Sequence, residues 1–97
     1  MSPRQEGALF DIELRHLAVL RQIHRTQSVT KAAAQMGMSQ PGISLVLAQL
    51  RERLKDPLFV RTSAGMLPTP KLQAMMAPIE QALGLVDRLG PRSHPRA

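Results

Sequence analysis

The chain has 97 residues and a net charge of +6, which is enough length for one small domain with a core of three or four helices. It contains no cysteine, so disulfides and thiolate metal sites are excluded. No run of about 18 apolar residues predicts a membrane span, and the N-terminal residues lack the apolar core of a signal peptide. The expected compartment is therefore the cytoplasm.

The positive charge is concentrated in the first half of the chain. Residues 13–55 contain seven basic and two acidic residues, whereas residues 56–89 contain three of each. A basic block beside a neutral block indicates a polyanionic partner such as nucleic acid. Basic residues that only solvate helix surfaces would give the same distribution, so charge alone leaves both interpretations open.

Two helices are predicted before residue 37, after a tail over residues 1–12. The first runs from Glu13 to about Thr26. Its apolar residues recur at helical spacing and predict one buried stripe of Leu14, Leu17, Ala18, Leu20 and Ile23. The hydroxyl of Ser28 can accept from an unpaired backbone N–H, which predicts an N-cap for a second helix from Val29 to about Met36.

A glycine, a serine and a proline then interrupt what would otherwise be one amphipathic helix. Gly37 can take the left-handed conformation that closes a helix, and Ser39 is a second N-cap. Pro41 fits the first turn of a third helix, which continues to about Lys55. Small Ala33, followed by Gly37 and then by Ile43, has the spacing of a helix-turn-helix. An ordinary helical hairpin could share this spacing.

The residues after the third helix predict a short β-hairpin. Leu58 to Val60 favour an extended strand, the sequence TSAG has turn chemistry, and Met66 and Leu67 can return antiparallel. Pro68 limits the second strand to an edge or an early end. Three helices followed by a hairpin predict a mainly α fold, a winged helix-turn-helix over residues 13–69, whose third helix projects into a DNA major groove.

A last helix is predicted over residues 70–89, before a disordered tail at residues 90–97. Its apolar residues recur at spacings of four and three, as in a paired helix. They predict a dimerisation stripe formed by Leu72, Met75, Met76, Ile79, Leu83 and Val86. The same stripe could instead pack on the core of a single chain. Pro78 removes one backbone hydrogen bond and should bend this helix.

Residues 12–89 resemble the N-terminal DNA-binding domain of the LysR-type transcriptional regulators. The resemblance rests on S-x-T-x-A-A from Ser28 to Ala33, SQP from Ser39 to Pro41, LF-x-R from Leu58 to Arg61, and PTP from Pro68 to Pro70, together with Ser44. It implies transcription control in a bacterial, nucleoid-associated protein that has no cofactor. It also implies homodimers formed through the last helix and an interrupted dyad as the operator. A complete member would carry an effector-binding domain that this chain does not contain.

The resemblance and the helix pattern together predict the residues that contact DNA. Gln40 is the best candidate for direct base recognition, because its amide carries both a donor and an acceptor. Phosphates are expected at Lys31, at the two capping serines, and at Arg51 or Arg61. The complete predicted set is Ser28, Lys31, Ser39, Gln40, Pro41, Ser44, Leu45, Ala48, Arg51 and Arg61. Alternatively, Arg51 and Arg53 pair with neighbouring carboxylates.

Two positions depart from the family pattern. Relatives often carry arginine or another polar residue where this chain has Leu45, and an arginine at the wing tip where it has Ala64. Each change removes a charge-assisted contact. We therefore expect weaker binding with a shallower salt dependence, and more reliance on Gln40 and on apolar contacts.

Two other classes of function compete with DNA binding. An enzyme is disfavoured, because the acidic residues form no acid–base pair and the histidines have no matching metal ligands. A module that dimerises with another regulator, or titrates it, stays open as the alternative.

Overall fold

The computed structural model describes residues 12–90 and contains four helices and two strands within that range. The predicted tail at residues 1–12 lies outside the described residues except for Ile12, and the tail at 90–97 lies outside except for Gly90. None of the described helices is long and apolar enough to cross a membrane. The elements are α1 (Leu14–Thr26), α2 (Val29–Met36), α3 (Gln40–Leu54), β1 (Phe59–Thr62), β2 (Gly65–Pro68) and α4 (Pro70–Leu89).

Each of the three later helices begins at a hydroxyl cap. Ser28 Oγ accepts from Lys31 N–H at 3.0 Å, and Ser39 Oγ accepts from Gly42 N–H at 3.0 Å. Thr69, which the sequence analysis did not identify, accepts from Leu72 N–H at 3.2 Å. These bonds satisfy backbone donors that have no partner within the helix. The predicted caps of α2 and α3 are confirmed.

The turn between α2 and α3 has the predicted geometry. Gly37 takes a left-handed conformation, with φ of 65°. The following N–H, of Met38, donates to the carbonyl of Ala33 at 2.9 Å. Ala33 and Ile43 are both buried, so a small residue and an aliphatic residue fill the space on either side of the turn. The chain therefore reverses sharply enough to pack α3 across α2.

The core is a single apolar cluster to which every helix contributes. On α1 the buried face is shifted from the predicted one. Leu14 is 48% exposed, whereas Val19 and His16 are buried beside Leu20 and Ile23. His16 fits there because its Nδ1 accepts from the Glu13 backbone N–H at 3.1 Å and helps cap α1.

The strands form the predicted two-stranded antiparallel wing, but β1 begins at Phe59, because Leu58 takes a left-handed conformation with φ of 68° and not the predicted extended one. Arg61 pairs with Met66, and Pro68 ends β2, as expected of a residue that cannot donate to the ladder. The Met66 N–H donates to the carbonyl of Gln27 at 2.9 Å, which attaches the wing to the end of α1. At this contact β2 carries Gly65, with φ of 112°.

A polar network around Asp56 connects α3, the wing and α4. Asp56 Oδ2 accepts from the Thr69 hydroxyl at 2.6 Å and from the Leu58 N–H at 2.8 Å. These two bonds, the first being the larger cause, hold the pKa of Asp56 below its ordinary value. Nearby Lys71 acts in the same direction and donates to the carbonyl of Leu54 at 2.9 Å.

The structure corrects the prediction for α4. Of the predicted dimerisation stripe, Leu72, Met76, Ile79 and Leu83 are buried in the core of the single chain, Met75 packs half-buried against that core, and Val86 is half-buried. The buried residues of this stripe therefore pack on the core of their own chain, which was the alternative to dimerisation. The cause is that α1 and β2 present apolar surface to α4 along this side.

The tight contact at Gly65 predicts a strong effect of adding a methyl group. A Cβ there would lie 2.7 Å from the Gln27 carbonyl oxygen, and the backbone conformation disfavours L side chains. We expect Gly65→Ala to lower the free energy of unfolding by about 1–3 kcal/mol. Gly84→Ala is the control, because nothing lies within 4 Å of its Cβ and it is helical, so it should be neutral or stabilising. Equal denaturant midpoints for the two variants would contradict this account.

The Asp56 network predicts a pH-dependent contribution to stability. Because the folded pKa is lowered, the contribution is present above the unfolded pKa of about 3.9 and disappears as the pH falls through the lower folded pKa. The difference in unfolding midpoint between the wild type and Asp56→Asn should therefore be largest near neutral pH and shrink toward about pH 3. Asp87→Asn, at an exposed aspartate of α4, is the control. A difference that is constant across this range would refute the assignment.

Candidate nucleic-acid interface

The first half of α3 exposes the side chains that the sequence analysis assigned to DNA. The buried side of the helix consists of Ile43, Val46, Leu47 and Leu50. The opposite side presents Gln40, Pro41, Ser44, Leu45 and Ala48 to solvent. Leu45 is 60% exposed. The helix thus offers an amide, a hydroxyl and an apolar surface together.

Gln40 is joined to α2 by a side-chain hydrogen bond that sequence spacing did not reveal. The Thr30 hydroxyl lies 3.3 Å from Gln40 Oε1. Thr30 is the second residue of α2 and Gln40 is the first residue of α3, so the turn at Gly37 brings the two helix starts together. The bond engages the amide oxygen, and the NH₂ group retains its donor capacity.

Two of the predicted phosphate contacts are helix caps whose oxygen atoms are already engaged. Ser28 Oγ and Ser39 Oγ each accept a backbone N–H. A hydroxyl that accepts can still donate its own proton, so both serines can donate to an anionic oxygen near a helix N-terminus, where the helix dipole favours negative charge. Ser39 is exposed and Ser28 is half-buried.

The basic candidates differ in how they are used within the chain. Lys31 and Arg61 are exposed, on the first turn of α2 and on β1 respectively. Arg51 is also exposed, but its Nε donates to the carbonyl of Pro57 at 2.8 Å, which fixes α3 to the segment before the wing. Arg51 therefore pairs with a backbone carbonyl, where the sequence had suggested a carboxylate as the alternative partner.

Two arginines of α1 share one carboxylate from α4. Glu80 Oε1 lies 3.2 Å from a terminal nitrogen of Arg25 and 3.6 Å from one of Arg21. The sequence gives no sign of this pairing, because Glu80 follows Arg25 by 55 positions. The positive charge of residues 13–55 is thus partly compensated at α1. The exposed basic candidates on α2, α3 and β1 are Lys31, Arg51 and Arg61.

A metal-binding cluster or a cavity among residues 12–90 would be the alternative to the surface of α3 as a functional site. No three side chains of the histidine, aspartate and glutamate type come together there in a way that could hold a metal ion. A cavity of about 230 Å³ is lined by Ile12, His16, Gln49, Leu50 and Arg53. His16 is engaged in capping α1, and the predicted DNA-contacting residues lie outside this cavity.

Comparison with known proteins identifies relatives of this arrangement. Residues 14–71 match the family described as bacterial regulatory helix-turn-helix protein, lysR family. Over 79 residues the chain is 44% identical to the HTH-type transcriptional activator NagR of Ralstonia sp, covering 81% of this chain and 26% of that protein. Over 75 residues it is 41% identical to the HTH-type transcriptional regulator LinR of Sphingobium indicum, with coverages of 77% and 25%.

Solved structures give the same result. The chain matches a BenM DNA-binding domain in complex with benA site 1 DNA at a TM-score of 0.74 and 32% identity, covering 80% of this chain and 88% of that one. It matches a probable transcriptional regulator from Pseudomonas aeruginosa at a TM-score of 0.78 and 29% identity, covering 84% and 28%. The relatives named here are transcriptional regulators and not enzymes, and the chain spans about a quarter of the length of the curated ones.

Proposed function

The chain belongs to the lysR family of bacterial regulatory helix-turn-helix proteins, and on that basis we propose that it binds double-stranded DNA sequence-specifically as the DNA-binding part of a transcriptional regulator. The observation that carries the proposal is the exposed first half of α3. Gln40, Ser44 and Leu45 face solvent on one side of this helix, and its other side packs on the rest of the domain, including α2. A helix so displayed fits the width of a major groove. The DNA complex of the structurally similar BenM domain supports the same partner.

The proposed base contacts lie on α3. The Gln40 amide can form two hydrogen bonds with adenine, one as a donor and one as an acceptor. Ser44, one turn further along, can bond to a base or to a phosphate. Pro41, Leu45 and Ala48 are apolar and exposed, and they can contact the methyl group of thymine.

The proposed phosphate contacts surround that face and determine how the domain sits on the duplex. Lys31 and Arg61 contribute charge, and the hydroxyls of Ser28 and Ser39 donate beside helix N-termini. The terminal nitrogens of Arg51 can add a contact while its Nε keeps the bond to Pro57. The number of such contacts determines how steeply DNA affinity falls with salt concentration, because each contact releases a condensed counterion.

We further propose that two chains pair through the side of α4 that faces away from the core. This outer face is formed by Ala74, Pro78, Gln81, Leu85 and Leu89, all of them exposed and recurring at helical spacing. Leu85 is 54% exposed and Leu89 is 87% exposed. Two exposed leucines on one helix face favour contact with an apolar partner, and a second copy with the same face satisfies this with two-fold symmetry.

Two-fold symmetry would in turn determine the form of the operator. A symmetric dimer presents two copies of α3, so the expected target is an inverted pair of half-sites separated by an interruption. We place this binding at the nucleoid in the cytoplasm. Control by an effector would require parts of a longer regulator, since the curated relatives are about four times the length matched here.

The division between base and phosphate contacts predicts different effects of two substitutions. Gln40→Ala should cost about 1–3 kcal/mol of discrimination between a selected and a random duplex, whereas Lys31→Ala should weaken binding to both and lower the salt slope by about 1. Fluorescence-anisotropy titrations across a salt series measure both quantities, on a duplex selected by the wild type from a random pool. A Gln40→Ala variant that weakens both duplexes equally would exclude Gln40 from base recognition.

The proposed dimer face makes a separate prediction. A charge placed at Leu85 would be buried in the apolar contact between the two copies, so Leu85→Glu should reduce the mass measured by light scattering at micromolar concentration from a dimer to a monomer. Leu45→Glu is the matched control, because that leucine is similarly exposed on a helix outside the proposed face, and its mass should be unchanged. A wild-type monomer, or dimers of both variants, would disprove pairing through this face.

A further inference from the structure

The hydroxyl of Thr30 has an unusual direction for a helical threonine. Within a helix, threonine commonly bonds back to the carbonyl four residues earlier, and Thr26 does so in α1, donating to the carbonyl of Gln22 at 2.8 Å. Thr30 is the second residue of α2, so the residue four positions before it lies outside its own helix. Its hydroxyl reaches across the turn to Gln40 Oε1 instead, at 3.3 Å.

We propose that Thr30 is a positioning residue that orients the Gln40 amide for base recognition. A glutamine amide has an acceptor end and a donor end, and a bidentate contact succeeds only when each faces its complement on the base. The bond from Thr30 holds the oxygen end on the α2 side. The nitrogen end is then the one presented away from α2, and the second lone pair of the oxygen stays available to a base donor.

The inference rests on the proposed function and adds a mechanism of specificity to it. Gln40 is exposed, and a long exposed side chain that must be ordered on binding weakens the contact that it makes. A hydrogen bond that already exists in the free protein reduces the cost of ordering the side chain on binding, for one orientation of the amide. Thr30 would therefore increase discrimination at one base pair, and its effect would pass through Gln40.

The test replaces the hydroxyl without changing the shape of the side chain. With the full chain, and with a duplex selected by the wild type from a random pool, Thr30→Val should lower discrimination at the base pair read by Gln40 by roughly 3- to 10-fold, the usual range for one hydrogen bond. Thr30→Ser should restore it, because the hydroxyl returns. Thr26→Val is the control: its hydroxyl bonds to the backbone of Gln22 and Ser28 and not to Gln40, so a change in overall affinity is allowed, but discrimination should stay unchanged.

A double-mutant cycle separates positioning from direct contact. If Thr30 acts through Gln40, Thr30→Val should have no further effect on discrimination in a Gln40→Ala background. The inference is overturned if Thr30→Val leaves discrimination unchanged, if its effect persists without Gln40, or if it weakens selected and random duplexes equally, as loss of a phosphate contact would. Thermal unfolding of Thr30→Val and Thr30→Ser checks that both are folded at the assay temperature.

The same measurements separate failure of this inference from failure of the proposed function. A wild-type chain with no salt-dependent binding to any duplex would refute DNA binding itself. A wild type that selects a sequence, with Thr30→Val selecting the same sequence equally strictly, would refute only the role of Thr30.

Discussion

The orientation of α3 depends on the sharp reversal of the chain at Gly37. A left-handed glycine there lets the chain turn within a few residues, while Ala33 before the turn and Ile43 after it fill the space between the helices. A larger side chain at residue 33 would push α3 away, and loss of Ile43 would leave a cavity under it. Because Gln40, Ser44 and Leu45 are carried on the opposite side of α3, their exposure follows directly from this packing.

Polar contacts at the margins add to the apolar packing that holds the wing and α4 to the helix-turn-helix. The Gln27 carbonyl accepts from β2, and the Asp56 carboxylate accepts from both the start of β1 and the cap of α4. Such bonds have strict geometry, so they define where Arg61 lies relative to the helices more narrowly than apolar packing alone would.

The distribution of charge shows why a count of basic residues overstates the positive surface. Glu80 pairs with Arg25 and Arg21 on α1, and Arg51 commits its Nε to a backbone carbonyl. The structure thus partly compensates α1 and leaves Lys31 and Arg61 exposed. Under the proposed function these two residues would supply charge to the DNA contact, whereas Leu45 and Ala64 add none.

Features governed by neighbouring residues were readable from the sequence alone. The helix boundaries, the caps at Ser28 and Ser39, the turn at Gly37, and the wing all depend on interactions within a few positions. The sequence could not decide which side of α4 is buried, because both Leu72 with Ile79 and Leu85 with Leu89 recur at helical spacing. Tertiary structure decided it through the surface that α1 and β2 present to α4. It also created the Thr30–Gln40 and Arg25–Glu80 contacts, since residues far apart in the chain meet only when the helices pack.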